Sequence, residues 1–195
     1  GAPHEKIDFL NLGADFLAIS AHKMAGPTGI GCLLTSTERI EEMGPFMTGG
    51  SMIKKVTTDG STYKEGNAMF ETGTPRIAEA IGWGAAVNWL EQFNMEDIHN
   101  HIHQIAAFAG NEMQKIPGIK IFGDPSNKDS SGAVSFLHET IQSQDLALLL
   151  DEGGYAVRTG HHCAQPLMDA LGVPSTNRAS FWIYNTQEEV EGFIE

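Results

Sequence analysis

Two apolar runs, DFLAIS at 15–20 and GIGCLLTS at 29–36, flank a turn that contains Gly26, Pro27 and Gly29. Glycine and proline stop a helix and supply turn angles, so short apolar runs bounded by them form strands. The spacing therefore predicts a buried strand over 15–20, a second strand through GIGCLLTS, and a turn entered through Ala21, His22 and Lys23. An amine is thereby carried to the end of a strand. A solvated lysine after a strand is the plain alternative. Against it stand His22 beside the amine, Ser20 as a hydroxyl able to bind phosphate, and the small, turn-forming residues that follow.

The rest of the chain alternates in type. Residues 37–43 suit a short helix, whereas 44–74 are rich in Gly, Thr and Ser with little periodicity and are expected to be irregular. Irregular stretches of that length are uncommon unless functional. Pro75 begins a run with apolar residues at helical spacing, which predicts a helix over 76–93 whose small residues favour close packing. A further helix is expected over about 95–116, followed by a turn and a strand in IPGIKIFG. Beyond the polar loop DPSNKDSSG at 124–132, the pattern predicts strand 132–138, helix 143–152, strand 155–158, helix 164–171, strand 178–184 and a helix from 187. That alternation is mixed α/β.

Composition narrows the function classes. A formal charge of −13 argues against nucleic-acid or anionic-membrane partners, which need clustered Lys and Arg. No apolar run approaches the roughly 18 residues that span a bilayer, and the N-terminus lacks a signal-peptide pattern, so a cytoplasmic protein is expected. The two cysteines, Cys32 and Cys163, are too few for a disulfide framework and suit a reducing compartment. Cys32 lies in an apolar strand and fits the core; Cys163 follows His161 and His162 in a glycine-bearing loop. A neighbouring imidazole can raise the thiolate fraction or protonate a leaving group, although a merely polar loop explains either histidine alone. Zinc is disfavoured at His-His-Cys, because adjacent ligands on one loop do not close a tetrahedron and no second ligand pair at zinc spacing is present. His99, His101 and His103 are expected on a solvated helix surface.

The segment SAHKMAGPTGIG resembles the pyridoxal phosphate (PLP) lysine segment of the class V aminotransferase group, and specifically of SUF-type cysteine desulfurases. Further matches follow in order: MTGGSMI at 47–53, FETGTPR at 70–76, RTGHHCAQPLM at 158–168 and RASFWIYNT at 178–186. The resemblance implies an α/β protein of PLP-dependent transferase fold type I. Residues 1–94 would form the C-terminal part of the large PLP domain, and 95–195 most of the small domain with the catalytic cysteine loop. It also implies a longer parent enzyme, whose aspartate for the pyridine nitrogen would lie before Gly1. A stand-alone protein without most of its cofactor cradle would be hard to explain.

By that resemblance Lys23 carries the cofactor aldehyde and later acts as a base. Cys163 as thiolate attacks the sulfur of L-cysteine, leaving a persulfide and releasing L-alanine. Arg178 clamps the substrate carboxylate, with Arg158 a second-tier candidate. Ser20, His22 and Thr74 bind the cofactor phosphate, and Gly73 lets a backbone N–H approach it or simply forms a turn. Thr74 reaches the partner site of a homodimer, Gly49 and Gly50 shape a loop at the site mouth, and a SUF-system protein accepts the sulfur for iron-sulfur cluster assembly. Met69 and Arg76 depart from the family pattern around FETGTPR, and Gln144 stands where some relatives that serve a zinc-containing acceptor have histidine. Selenocysteine lyase activity uses the same lysine, arginine and fold, and a non-catalytic binding or scaffold module is the reading from another class.

Overall fold

The computed structural model describes residues 2–127 and 130–195 of the chain, so positions 128 and 129 of the polar loop lie outside the described residues. Internal contacts divide it into two units, one of Lys6–Phe93 with Ala2 and one of Asn94–Glu195 with Pro3–Glu5.

The Lys6–Phe93 unit begins with an antiparallel pair, β1 (Phe16–Ser20) and β2 (Gly31–Thr35), in register from Phe16↔Thr35 to Ser20↔Gly31. The helix α1 (Thr37–Glu42) starts where the Ser36 hydroxyl accepts the Arg39 N–H at 3.3 Å. A hairpin follows, β3 (Ile53–Thr57) with β4 (Gly60–Tyr63), inside the stretch expected to be irregular. Its signal was Asp59-Gly60 between β-branched residues, a hairpin cue that the surrounding Gly, Thr and Ser obscured. The unit ends with α2 (Ile77–Leu90), shorter at the C-terminal end than the run predicted, because Gln92 and Phe93 close tight i→i+3 turns.

β1 is not the buried strand its composition predicted. Phe16 is 42% exposed and Leu33 of β2 is 59% exposed. A two-stranded sheet leaves both edges and much of its faces open, whereas an apolar run on both faces is the pattern of a strand inside a larger sheet. Ile77 and Ile81 of α2 are likewise exposed. Ala21, Met52 and Leu90 are the hydrophobic side chains of this unit that are buried.

The Asn94–Glu195 unit has an extended core. Its sheet runs β5 (Ile119–Phe122), β6 (Ala133–His138), β8 (Thr176–Ser180), β7 (Arg158–Gly160), with every neighbouring pair antiparallel. Against it pack α3 (Met95–Met113), α4 (Ser143–Glu152) and α6 (Gln187–Ile194), while α5 (Gln165–Leu171) joins β7 to β8. Ile98, Ile102, Ile105, Ala109 and Met113 line one face of α3 at helical spacing, and this stripe meets Val134, Phe136, Ala179 and Val190. Asn94 caps α3 through the Glu96 N–H at 3.0 Å. Thr186 and Glu189 form a capping box at the start of α6, with bonds of 3.2 and 3.0 Å.

Two strands are displaced from their expected places. The strand predicted at 155–158 begins at Arg158, and the one predicted at 178–184 is Thr176–Ser180. The apolar run outlasts the strand because Phe181 turns into the core and Trp182 enters a turn, its N–H donating to Asn185 Oδ1 at 2.8 Å. His101 and His103 are not merely solvated: the His101 Nε2 lies 3.0 Å from the Asn185 carbonyl, and the His103 Nδ1 lies 3.3 Å from Ser130 Oγ.

Phe136 is 2% exposed at the centre of this core. Phe136→Ala is expected to destabilise the unit by about 3–5 kcal/mol. Thr186→Ala removes one cap and is expected to cost about 1 kcal/mol. Urea unfolding checks both, through midpoint shifts at unchanged slope.

Candidate active site

β1 delivers Ser20 to a single 3-10 turn, Ala21–Lys23. Ala21 is fully buried and anchors it: its N–H donates to the Ile30 carbonyl at 3.1 Å, and its carbonyl accepts from Met24 and Gly26 at 2.8 and 3.0 Å. His22 and Lys23 are exposed on the outside of that turn. Gly26 is required by close approach, since a Cβ there would sit 2.9 Å from the Ala21 carbonyl oxygen and 3.0 Å from Trp83 Cδ1. The Trp83 indole N–H is buried with no protein acceptor among the described residues.

The segments MTGGSMI and FETGTPR are brought together, for the Gly73 N–H donates to the Gly50 carbonyl at 2.8 Å. That bond occupies the Gly73 N–H itself. The glycine supplies backbone shape, at φ +76°, immediately before Thr74.

In the other unit β7 leads into a short loop, His161 to Ala164, before α5. The Ala164 N–H donates to the His161 carbonyl at 2.9 Å and closes it. His162 and Cys163 both adopt left-handed angles, φ +56° and +62°, a conformation that costs on the order of 1 kcal/mol or more for each side-chain-bearing residue. The His162 Nε2 lies 3.1 Å from the Thr176 carbonyl and 3.0 Å from its hydroxyl. Burial pushes the His162 pKa down, its bond to the Thr176 backbone opposes this, and Arg178, Arg158 and His161 push it down further. The ring is therefore neutral near pH 7.

Cys163 is exposed, and its Sγ lies 3.4 Å from the Arg158 Nη2. Arg158 pairs directly with Arg178 across β7 and β8. Directly paired residues of an antiparallel ladder project from the same face, and like charges so placed are unfavourable. Arg178 Nε donates to Ser180 Oγ at 3.1 Å, yet no carboxylate among the described residues forms an ion pair with either guanidinium. Two guanidinium groups with no carboxylate partner among the described residues, one of them against the thiol, suit an anionic ligand. No group of three His, Cys, Asp or Glu among the described residues is placed to hold a metal.

The predicted residues thus fall into two sets. Cys163, His161, His162, Arg158 and Arg178 gather around β7 and β8 in one unit, while Ser20, His22 and Lys23, and separately Gly73 and Thr74, lie in the other. Sequence reasoning missed Thr176 and Trp83. Thr176 stands two residues before Arg178, so a strand begun at its observed start would have placed both on one face.

The Aminotransferase class-V family model matches residues 1–193. A Halalkalibacterium halodurans protein named "Probable cysteine desulfurase" is 47% identical over 194 residues, covering 100% of this chain and 47% of that protein. A Haloferax volcanii "Cysteine desulfurase" is 42% identical over 193 residues, covering 99% and 45%. The crystal structure of the Escherichia coli cysteine desulfurase CsdA matches with a TM-score of 0.94 at 38% identity, covering 100% of this chain and 48% of that one. The chain accordingly spans less than half the length of each of these proteins. Its fold is the mixed α/β fold of the PLP-dependent transferases of fold type I. With the lysine turn and the cysteine loop both inside a match that runs nearly end to end, the chain belongs to the class-V aminotransferase family.

Proposed function

We propose that this chain supplies the lysine, cysteine and arginine groups of a PLP-dependent cysteine desulfurase that converts L-cysteine to L-alanine and holds the sulfur as a persulfide on Cys163. The observation that carries this reading is the Arg158 Nη2 at 3.4 Å from the Cys163 Sγ, with Arg178 paired across the strands and neither arginine neutralised. Relatives named cysteine desulfurase support it.

The donors around the lysine turn fit PLP. Lys23 offers an amine free of any ion pair among the described residues, Ser20 and His22 offer phosphate donors, and the orphaned Trp83 N–H lies against the same turn. When bound, PLP supplies the electron sink for a carbanion at the substrate Cα. Lys23 would hold the cofactor through its aldehyde, and its amine is the group placed to move the proton at that Cα. Arg178 holds the substrate carboxylate through its planar fork. Cys163 Sγ, as thiolate, attacks the substrate sulfur: the S–S bond forms, the substrate C–S bond breaks with its electron pair going to the carbon side, and that carbon takes a proton to become the methyl of alanine. Cysteine and one thiol thereby give alanine and one persulfide. His161, exposed on the same loop, is the histidine available for proton exchange at this step.

Residues 1–94 would belong to the cofactor-binding large domain and 95–195 to the small domain. Thr74 would reach the partner site of a homodimer. The short loop between β7 and α5 supports the SUF type, in which a cytoplasmic acceptor protein takes the sulfur for iron-sulfur cluster assembly.

Cys163→Ala in the full-length protein is expected to abolish alanine formation from cysteine while leaving the visible PLP absorbance; continued cysteine turnover would overturn Cys163 as the acceptor. Lys23→Ala is expected to lose that absorbance, and an unchanged spectrum would remove Lys23 from the cofactor. Arg178→Lys should lower kcat/KM for cysteine roughly 10- to 100-fold by losing a bidentate charge-assisted pair. Steady-state kinetics test this, and wild-type kcat/KM would place the carboxylate elsewhere.

A further inference from the structure

The hydrogen-bond pattern around His162 fixes its tautomer. The Thr176 carbonyl, 3.1 Å from Nε2, can only accept. The Thr176 hydroxyl, 3.0 Å from the same nitrogen, directs its own proton toward Met168 Sδ at 4.0 Å and so is free to accept as well. The carbonyl contact requires the proton on Nε2, and the hydroxyl can accept from the same N–H. The Nδ1 is then a bare lone pair, and it is buried with no protein donor among the described residues. A ring with one nitrogen committed to the sheet and the other sealed from donors cannot readily exchange protons.

The same ring sits at the first of two consecutive left-handed residues. Ordinary side chains adopt that conformation only where surrounding contacts over-determine it. Here those contacts are the His162 bonds to β8, on one side, and the turn closed by His161 and Ala164, on the other. The consequence of the geometry is the placement of Cys163 Sγ against Arg158 Nη2.

We propose that His162 is a positioning residue: through Nε2–H to Thr176 it latches the cysteine loop in its left-handed form and so aims the Cys163 thiol at the Arg158 guanidinium. Proton handling at this loop is left to His161. The catalytic importance of the latch rests on Cys163 being the sulfur acceptor, but its geometry does not, so its test reads thiol chemistry rather than turnover.

The charged and titratable groups acting on the ring are Arg178 from β8, Arg158 from β7 and His161 from its own loop, while α5 contributes the uncharged Met168. All three disfavour the charged ring, whereas the bond to the Thr176 backbone favours it. Because the folded ring binds its proton less readily than the unfolded one, the unfolded state takes up more protons below about pH 6.5. The contribution of the ring to folding stability is therefore complete at neutral pH and falls as the pH drops through the depressed folded value, while Nε2–H remains a donor in either form.

The test is a double-mutant cycle in the full chain, following alkylation of Cys163 by iodoacetamide at pH 7 with peptide mass spectrometry. A cationic neighbour favours the reactive thiolate. Arg158→Gln is expected to slow alkylation roughly five- to tenfold in the wild-type background and less than about twofold in His162→Leu, where the aim is lost. His162→Gln, which keeps an N–H donor, should restore the larger dependence. An equal Arg158→Gln effect in all three backgrounds would overturn the proposal. Nitrogen-15 NMR of wild-type histidines provides a second reading that requires no variant: a proton on His162 Nε2 alone is expected, and an Nδ1–H or doubly protonated ring at pH 7 would also overturn it. If alkylation and NMR agree with the latch but Cys163→Ala still turns over cysteine, the desulfurase reading fails and the latch stands.

Discussion

The pairing of β7 with β8 is the constraint on which the cysteine-bearing site depends. Its register sets Arg158 opposite Arg178 and Gly160 opposite Thr176, so one short ladder fixes both guanidinium groups and the acceptor for His162. β7 has only three residues and could not hold this position alone. It is held because β8 also pairs with β6, whose Val134 and Phe136 belong to the core under α3 and α6. Side chains that repel one another are thus imposed by hydrophobic packing on the far face. Chemistry stands on one side of the sheet and the stabilisation for it on the other.

The two units differ in how far their own residues account for their stability. In the Asn94–Glu195 unit, helix stripe and strand alternation converge on one closed core. In the Lys6–Phe93 unit the strands and α2 carry apolar residues on sides that remain exposed. Such faces lose the favourable term that normally offsets chain ordering, roughly 25 cal/mol per Å² of apolar area. The hydrogen bonds of the Ala21 turn therefore carry more of the local order around Lys23 than packing does.

Much of this was legible in the sequence, for identifiable reasons. Helix α2 was read from Pro75 and from apolar residues at helical spacing, signals that arise within the segment itself. The family was legible because Lys23, Cys163 and Arg178 sit in segments whose order along the chain is distinctive. Burial of β1 was misread because an apolar strand states what it can bury against, and a single chain segment does not contain that partner. The hairpin at 53–63 was hidden because its turn chemistry resembled its surroundings. The different surroundings of His161 and His162 were beyond sequence reasoning: adjacent residues of one type are told apart only by what their rings meet, and for His162 that is Thr176, distant in the chain.

The bond from Gly73 to Gly50 gives the loop that carries Thr74 a property its own residues lack. Two glycine-bearing segments, separated by a hairpin, are riveted at their midpoints and must shift as one body. Insertions in the hairpin between them would leave that rivet intact, so the length of β3 and β4 is free to vary while the spacing from Gly50 to Thr74 in space is not. The spacing between the ends of this region is therefore held by backbone bonds, Gly73 to Gly50 and Lys64 to Met52, rather than by the number of residues that lie between them.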